Sequence, residues 1–358
     1  VGSGDGGVPA WRAGLARWQW VELPGTSLSN QHVPDPFSGA MVAPTQRIDA
    51  WNGLAADTAT NRVYLAGAGG HADWAGNEAY EIDLQLDQPR WRMLRGPSDG
   101  GAVVFGADYY RDGRPSSTHL YYALQFVRAR QRIFKLSAGS LWGSGNESNS
   151  HVDAFALANN DWDPAGTWAS GMPHGDAIDR PYAQHPVSED CFTFFQGQFR
   201  RWSASTATWS TLAPRPSAFG NDVVGASAAA VDVMRDRVVF FRNAYRVAQR
   251  QGLLLTLGAT PALTDVTFTG ASAGSLSQGG LAAQYVPRDD AFFVKLTTGG
   301  EVVRVNASTF EAAPQPTTGS APPNAVNGIY TRFLYLPRLG GFAYLPRGSA
   351  NFWFLASE

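Results

Sequence analysis

Short apolar runs alternate with turn-forming residues along the whole chain. One pattern recurs six times: small apolar residues, a polar or proline-containing turn, then a second apolar run. It reads GLAADTATNRVYLAG from Gly53, YYALQFVRARQRIFKL from Tyr121 and PYAQHPVSEDCFTFF from Pro181. It returns as SAAAVDVMRDRVVFF from Ser227, LAAQYVPRDDAFFVK from Leu281 and RFLYLPRLGGFAYLP from Arg332. Each copy predicts a tight hairpin, with Asn61, Asp190, Asp236, Asp290 and Gly340 among the turn residues.

A second pattern falls between these hairpins: an aromatic run entering a Gly/Pro/Ser turn, as in WVELPGTS at Trp20, WRMLRGPS at Trp91, WASGMPHG at Trp168 and WSTLAPRPS at Trp209. Weaker copies start at Val266 and Phe310. The two series interleave at about 45–70 residues, the period of propellers and solenoids. Adding a third strand such as AYEIDL or FRRWS gives four antiparallel strands per unit. The reading is therefore all-β: a six-bladed β-propeller, with seven blades as the alternative if the long Thr118–Trp168 unit hides a degenerate one. The last unit stops at its third strand, NFWFLAS, and the first aromatic strand, Arg17–Leu23, has no hairpin before it. The N-terminal strand should then complete the last blade and remove an exposed edge. Residues 17–358 form one domain in this reading, and 1–16 a flexible leader.

Composition agrees with many short strands. The 358 residues include 39 Gly, 22 Pro and 12 Trp, and only 16% are charged. A net charge of −2 argues against nucleic acid as a partner. Lys135 and Lys295 are the only lysines among 28 basic residues. Cys191 is the only cysteine, so no intrachain disulfide forms. No run of about 18 apolar residues exists, so no membrane-spanning helix is expected. The chain begins VGSGDGGVPA, which fits a flexible segment left by signal-peptide removal or by vector cleavage. The expectation is a secreted or periplasmic monomer.

The stretch LAGAGGHADWAGNEAYEIDL, from Leu65, resembles the kelch repeat: Gly69 and Gly70 end strand two, Tyr80 precedes Asp83 and Leu84, and Trp91 opens strand four. The other units keep the hydrophobic rhythm without the glycines. The resemblance implies a kelch-like, galactose-oxidase-type propeller, with the glycines where a neighbouring strand comes close and Tyr80 and Trp91 between blades. It does not fix a function. The galactose-oxidase copper site would need Cys191 as a tyrosine cross-link partner, but its setting in EDCFTFF suits a small buried hydrophobe better. GAGG at Gly67 leads into a strand, which excludes a nucleotide-binding turn, and GASAG at Gly270 lacks the helix that a nucleophilic serine elbow needs.

Propeller topology places candidate chemistry. The 2–3 loops and the blade-to-blade connections share one rim; the 1–2 and 3–4 turns share the other. His71, His119, His151, His174 and His32 fall on the first rim, and His185 on the second. His71, His119, His151 and Tyr330 are the candidate acids and bases. Arg47, Asn52, Asp73, His174, Arg180, Asn221, Gln278 and Arg332 are the candidate substrate contacts. The partner they suggest is a polysaccharide or another polyhydroxyl or anionic ligand. No cofactor is indicated; a divalent metal would need histidines from separate blades, because no HExxH or paired CxxC spacing occurs. The reading is a carbohydrate-active protein, a lyase on a uronate-containing polysaccharide, with Arg180 or Arg332 neutralising the carboxylate. The alternatives are a non-catalytic kelch-type binding module for glycan or protein, and a hydrolase or isomerase on a small metabolite.

Overall fold

The computed structural model describes residues 7–137, 139–144, 151–169, 180–195, 198–214, 228–241 and 251–358. Six four-stranded antiparallel blades form a ring. Blade 1 holds Ala55–Asp57, Arg62–Ala66, Ala79–Asp83 and Trp91–Arg95. Blade 2 holds Leu124–Val127, Arg132–Leu136, Val152–Ala156 and Asp161–Trp162. Blade 3 holds Tyr182–Gln184, Cys191–Phe195, Gln198–Ser203 and Thr208–Pro214. Blade 4 holds Ala229–Asp232, Arg237–Phe241, Gln251–Thr256 and Leu263–Thr267. Blade 5 holds Ala282–Val286, Ala291–Lys295, Val302–Asn306 and Ala312–Pro314. Blade 6 holds Phe333–Leu336, Gly341–Tyr344 and Phe352–Ala356, and Gln19–Leu23 completes it by pairing Trp20 with Leu355 and Val21 with Phe354. The ring is thus closed by hydrogen bonds between the two ends of the chain. No seventh blade occurs among the described residues.

Side-chain size explains the order of strands within a blade. The innermost strands crowd around the axis and carry alanines: Ala55, Ala183, Ala229, Ala230, Ala282 and Ala283 are all buried there. Larger rings fill the widening gaps between blades. Every pair of neighbouring blades shares an aromatic contact: Tyr64–Phe126, Phe134–Trp202, Phe199–Phe240, Phe241–Phe292, Phe293–Phe342 and Trp91–Phe352, with ring centroids 4.6 to 5.7 Å apart. Such rings combine large apolar burial with a preferred tilt, so they fix the angle between blades as well as stabilising it. Trp91 therefore sits between blades, as its position predicts. In blade 2 the fourth strand starts at Asp161, not at Trp168; the Trp168 ring instead packs edge-on against Phe134 at 4.9 Å.

Of the segment expected to be a leader, residues 1–6 lie outside the described residues. The rest lies against the ring: Trp11 packs edge-on against Phe354, and the Arg12 guanidinium donates to the Leu339 and Glu358 carbonyls. Cys191 is fully buried, and burial raises its thiol pKa. No helix among the described residues is long and apolar enough to cross a membrane.

Candidate functional site

A small sheet stands above blades 1 and 2 on the loop rim. Strands Thr118–His119 and Gly139–Leu141 pair there, and the segment after Ala66 joins them. Gly69 N–H donates to the Thr118 carbonyl and His71 N–H to the Ser140 carbonyl, each at 3.1 Å. Gly70 makes this approach possible. A Cβ there would lie 2.4 Å from both His119 N and Ser140 O, and its φ of +85° favours glycine. The glycine pair thus brings His71 and His119 together from different blades, with ring centroids 6.1 Å apart.

His119 is the centre of a bonded chain. Its Nε2 lies 2.9 Å from Asp73 Oδ2, and its Nδ1 lies 3.3 Å from the Tyr121 hydroxyl. A neutral ring with its proton on Nε2 satisfies both, donating to Asp73 and accepting from Tyr121. Burial lowers the His119 pKa; Asp73 opposes this, and His71 adds to it. Asp73 is one-third exposed, at 32%, and its second oxygen is outside the chain of bonds. His71 is exposed, and its ring nitrogens bond to no described residue. The Trp51 ring lies 5.0 Å from His119, and the Tyr330 ring lies 5.3 Å from Tyr121. Trp51, His71, Tyr121 and Tyr330 all have left-handed backbone, with φ between 48° and 56°. This conformation costs ~1–2 kcal/mol per non-glycine residue, and such strain gathers at functional sites.

The other candidates divide. His151 belongs to a second cluster: its Nε2 is 3.2 Å from Asp108, its ring is 5.5 Å from Tyr109, and the Tyr109 hydroxyl donates to Asp153. Asp153 also faces the fully buried Lys135 ammonium at 3.4 Å. Arg47 is no ligand contact. It is fully buried, pairs with the equally buried Glu78 at 2.8 Å and donates to the Glu78 and Ala68 carbonyls. Arg332 is likewise buried and donates to the Ile329, Pro346, Val326 and Gly328 carbonyls. Asn52 bridges two blades, accepting from Leu120 N–H and donating to the Ala50 carbonyl. These three polar groups satisfy backbone at the points where innermost strands begin, which no spacing in the sequence distinguishes from a ligand site. Arg180 is buried beside Tyr182 and donates to its hydroxyl at 3.4 Å. Gln278 is exposed at the end of the short helical turn Ala273–Ser277. His32 is exposed. His174 and Asn221 lie outside the described residues. Among the described residues, no group of three or more His, Cys, Asp and Glu side chains is placed to hold a metal ion.

Trp51 and Tyr121 join the site without having been singled out in the sequence. Tyr122 also matters: its hydroxyl crosses the channel from blade 2 to donate to the Leu281 carbonyl of blade 5, at 2.7 Å. Tyr330 packs edge-on against it at 5.1 Å. Beyond these rings lies a cavity of about 440 Å³, lined by Ala55, Phe126, Ala230 and Leu334 and reaching His185 and Arg288 among the turns. His185 is placed as expected on the turn rim, where its Nδ1 accepts from Val187 and Ser188 N–H.

No family model matches this chain, and no curated protein sequence does. Among solved structures it is similar to a structural genomics protein of unknown function from Bacteroides thetaiotaomicron. The two are 12% identical, with a TM-score of 0.49 over 94% of this chain and 75% of that one.

Proposed function

We propose that this protein acts on a saccharide at its loop rim, with His71 as the acid–base group and Asp73 as the acceptor for sugar hydroxyls. The observation that carries the reading is the Tyr121–His119–Asp73 chain of hydrogen bonds beside an exposed imidazole that bonds to no described residue. Buried Tyr121 and His119 are positioning residues; they hold the Asp73 carboxylate without competing for its free oxygen. An imidazole can take a proton and return it near neutral pH. In an elimination from a uronate polymer, His71 would accept the C5 proton as the C4–oxygen bond breaks. The same imidazolium would then protonate the departing oxygen, so one group closes the proton balance. A polymeric substrate of this kind suits a protein working outside the cytoplasm.

The test is a panel of uronate polymers followed by the ultraviolet absorbance of the unsaturated product. Turnover should fall ~10²–10⁴-fold in His71→Ala, the usual contribution of a positioned acid–base group. An unchanged rate in that variant would remove His71 from the mechanism. A second reading, glycan binding without turnover, is favoured by one observation: Arg332, one of the two arginines expected to neutralise a substrate carboxylate, is buried and consumed by backbone carbonyls. Polymer binding with no product would select it.

A further inference from the structure

Three aromatic rings form an exposed platform on the same rim. Phe37 is 53% exposed and Phe105 66% exposed, and both pack against Trp142. The three centroids are 5.6 to 5.9 Å apart. Other exposed apolar residues, such as Val187 and Met234, stand singly at hairpin turns. Here three distant segments converge, and each is held by its backbone. Asp35 accepts from Phe37 and Ser38 N–H. Gly106 N–H donates to the Trp142 carbonyl at 2.8 Å. A Cβ on Gly143 would strike the Phe105 ring at 2.4 Å, so Gly143 lets that ring lie flat against the chain.

Exposed apolar clusters are unfavourable in water and usually mark a contact surface. This one continues into the candidate site. Trp142 N–H donates to the Ser117 carbonyl, and Gly143 N–H donates to the His71 carbonyl. The platform therefore extends the small sheet that carries His71 and His119. A pyranose has C–H faces that lie on aromatic rings and hydroxyl edges that bond to carboxylates and imidazoles. Platform and site together match that division of surface, and preorganised rings lose little freedom on binding. We infer that Phe37, Phe105 and Trp142 are a stacking subsite for the next sugar rings of a polymeric saccharide whose reacting or terminal unit lies at His71. This deepens the saccharide reading above and rests on it.

The experiment uses the whole chain in native gels containing polygalacturonate, alginate or barley β-glucan, with sedimentation velocity alongside. The Phe37→Ala/Phe105→Ala protein removes only exposed rings and should fold as the parent does. Its retardation should weaken about tenfold. Undiminished retardation overturns the platform and leaves the His71 site standing. A parent dimer that becomes a monomer in the variant also overturns it, because the rings would then serve self-association. Failure of every polymer to retard or react with the parent removes the saccharide reading and the platform with it.

Discussion

The two rims of the ring hold similar residue types under different rules. At the turn rim, left-handed residues close hairpins: Asn61, Gln131, Asp236 and Asp290 all have φ between 44° and 57°. A tight turn imposes that backbone, and Asn and Asp tolerate it. At the loop rim, Trp51, His71, Tyr121 and Tyr330 adopt it as well: His71 opens the short turn between the bridged Gly70 and Trp74, and Tyr121 and Tyr330 lie in turns closed by Ala123 N–H on the Leu120 carbonyl and Arg332 N–H on the Ile329 carbonyl. There bulky rings occupy turn positions that Gly, Asn or Asp would take more easily. The ion pairs differ in the same sense. Asp57–Arg128 and Asp290–Arg235 join neighbouring blades in contact with water, whereas Arg47–Glu78 is sealed. Turn-rim polarity is local turn chemistry. Loop-rim polarity is built into the structure at a cost, and such a cost is the mark of a site or of its support.

The largest effect that separates the rims is expected from Arg47→Met. It leaves the Glu78 carboxylate buried without its partner, which should cost ~3–5 kcal/mol in urea unfolding. Asp290→Asn removes the corresponding pair on the turn rim. Solvent screens that pair, and its loss should cost about 1 kcal/mol or less. Equal costs would mean that the rims do not differ in this way.

The blades and their closure were legible because period-2 strands, turn residues and the missing first hairpin are local signals repeated six times. Repetition makes weak signals add. The rim on which His71 and His119 meet was also legible, since topology alone decides it. What each polar residue does there was not. Arg47, Asn52 and Arg332 sit at the positions a ligand contact would occupy, yet their partners are carbonyls and one buried carboxylate brought in by distant segments. Tyr121 joined the site through a left-handed φ, and nothing in THLYY announces that conformation. Gly69 and Gly70 turned out to bring two blades' loops together at the histidines.

A smaller effect sharpens the contrast from the other side. His71 has φ of 48°, so His71→Gly relieves backbone strain. The exposed ring contributes little packing to offset that gain. The variant should gain about 1 kcal/mol in urea unfolding and lose saccharide turnover. Asp236→Gly, at an exposed hairpin position where Asp already tolerates the left-handed backbone, should change stability by only a few tenths of a kcal/mol. A loss of stability in His71→Gly would show that the imidazole holds the small sheet together and is not a strained group kept for a ligand.

The smallest effects lie in the pH dependence of stability, where His119 of the loop rim and Asp290 of the turn rim should titrate in separate windows. His119 is buried neutral, and its folded pKa is below the ordinary 6.5. Its contribution is therefore complete above that value and lost as acid protonates the unfolded chain more readily than the folded one. Asp290 is the opposite kind of group with the same sign. Hydrogen bonding to Arg235 first, then to Tyr285, holds its pKa down at about 2, against 3.8 when unperturbed. Its contribution is complete above 3.8 and is lost as pH falls through about 2. Urea midpoints measured from pH ~7.5 down to ~2 should show both windows in the parent protein. His119→Gln should reduce the slope of the upper window, which the lowered His185 shares, and Asp290→Asn that of the lower window, which the lowered Asp35 shares. If His119→Gln keeps the parent's slope near pH 6, the buried proton-sensitive group of the loop rim is not His119, and the Tyr121–His119–Asp73 chain loses its neutral centre.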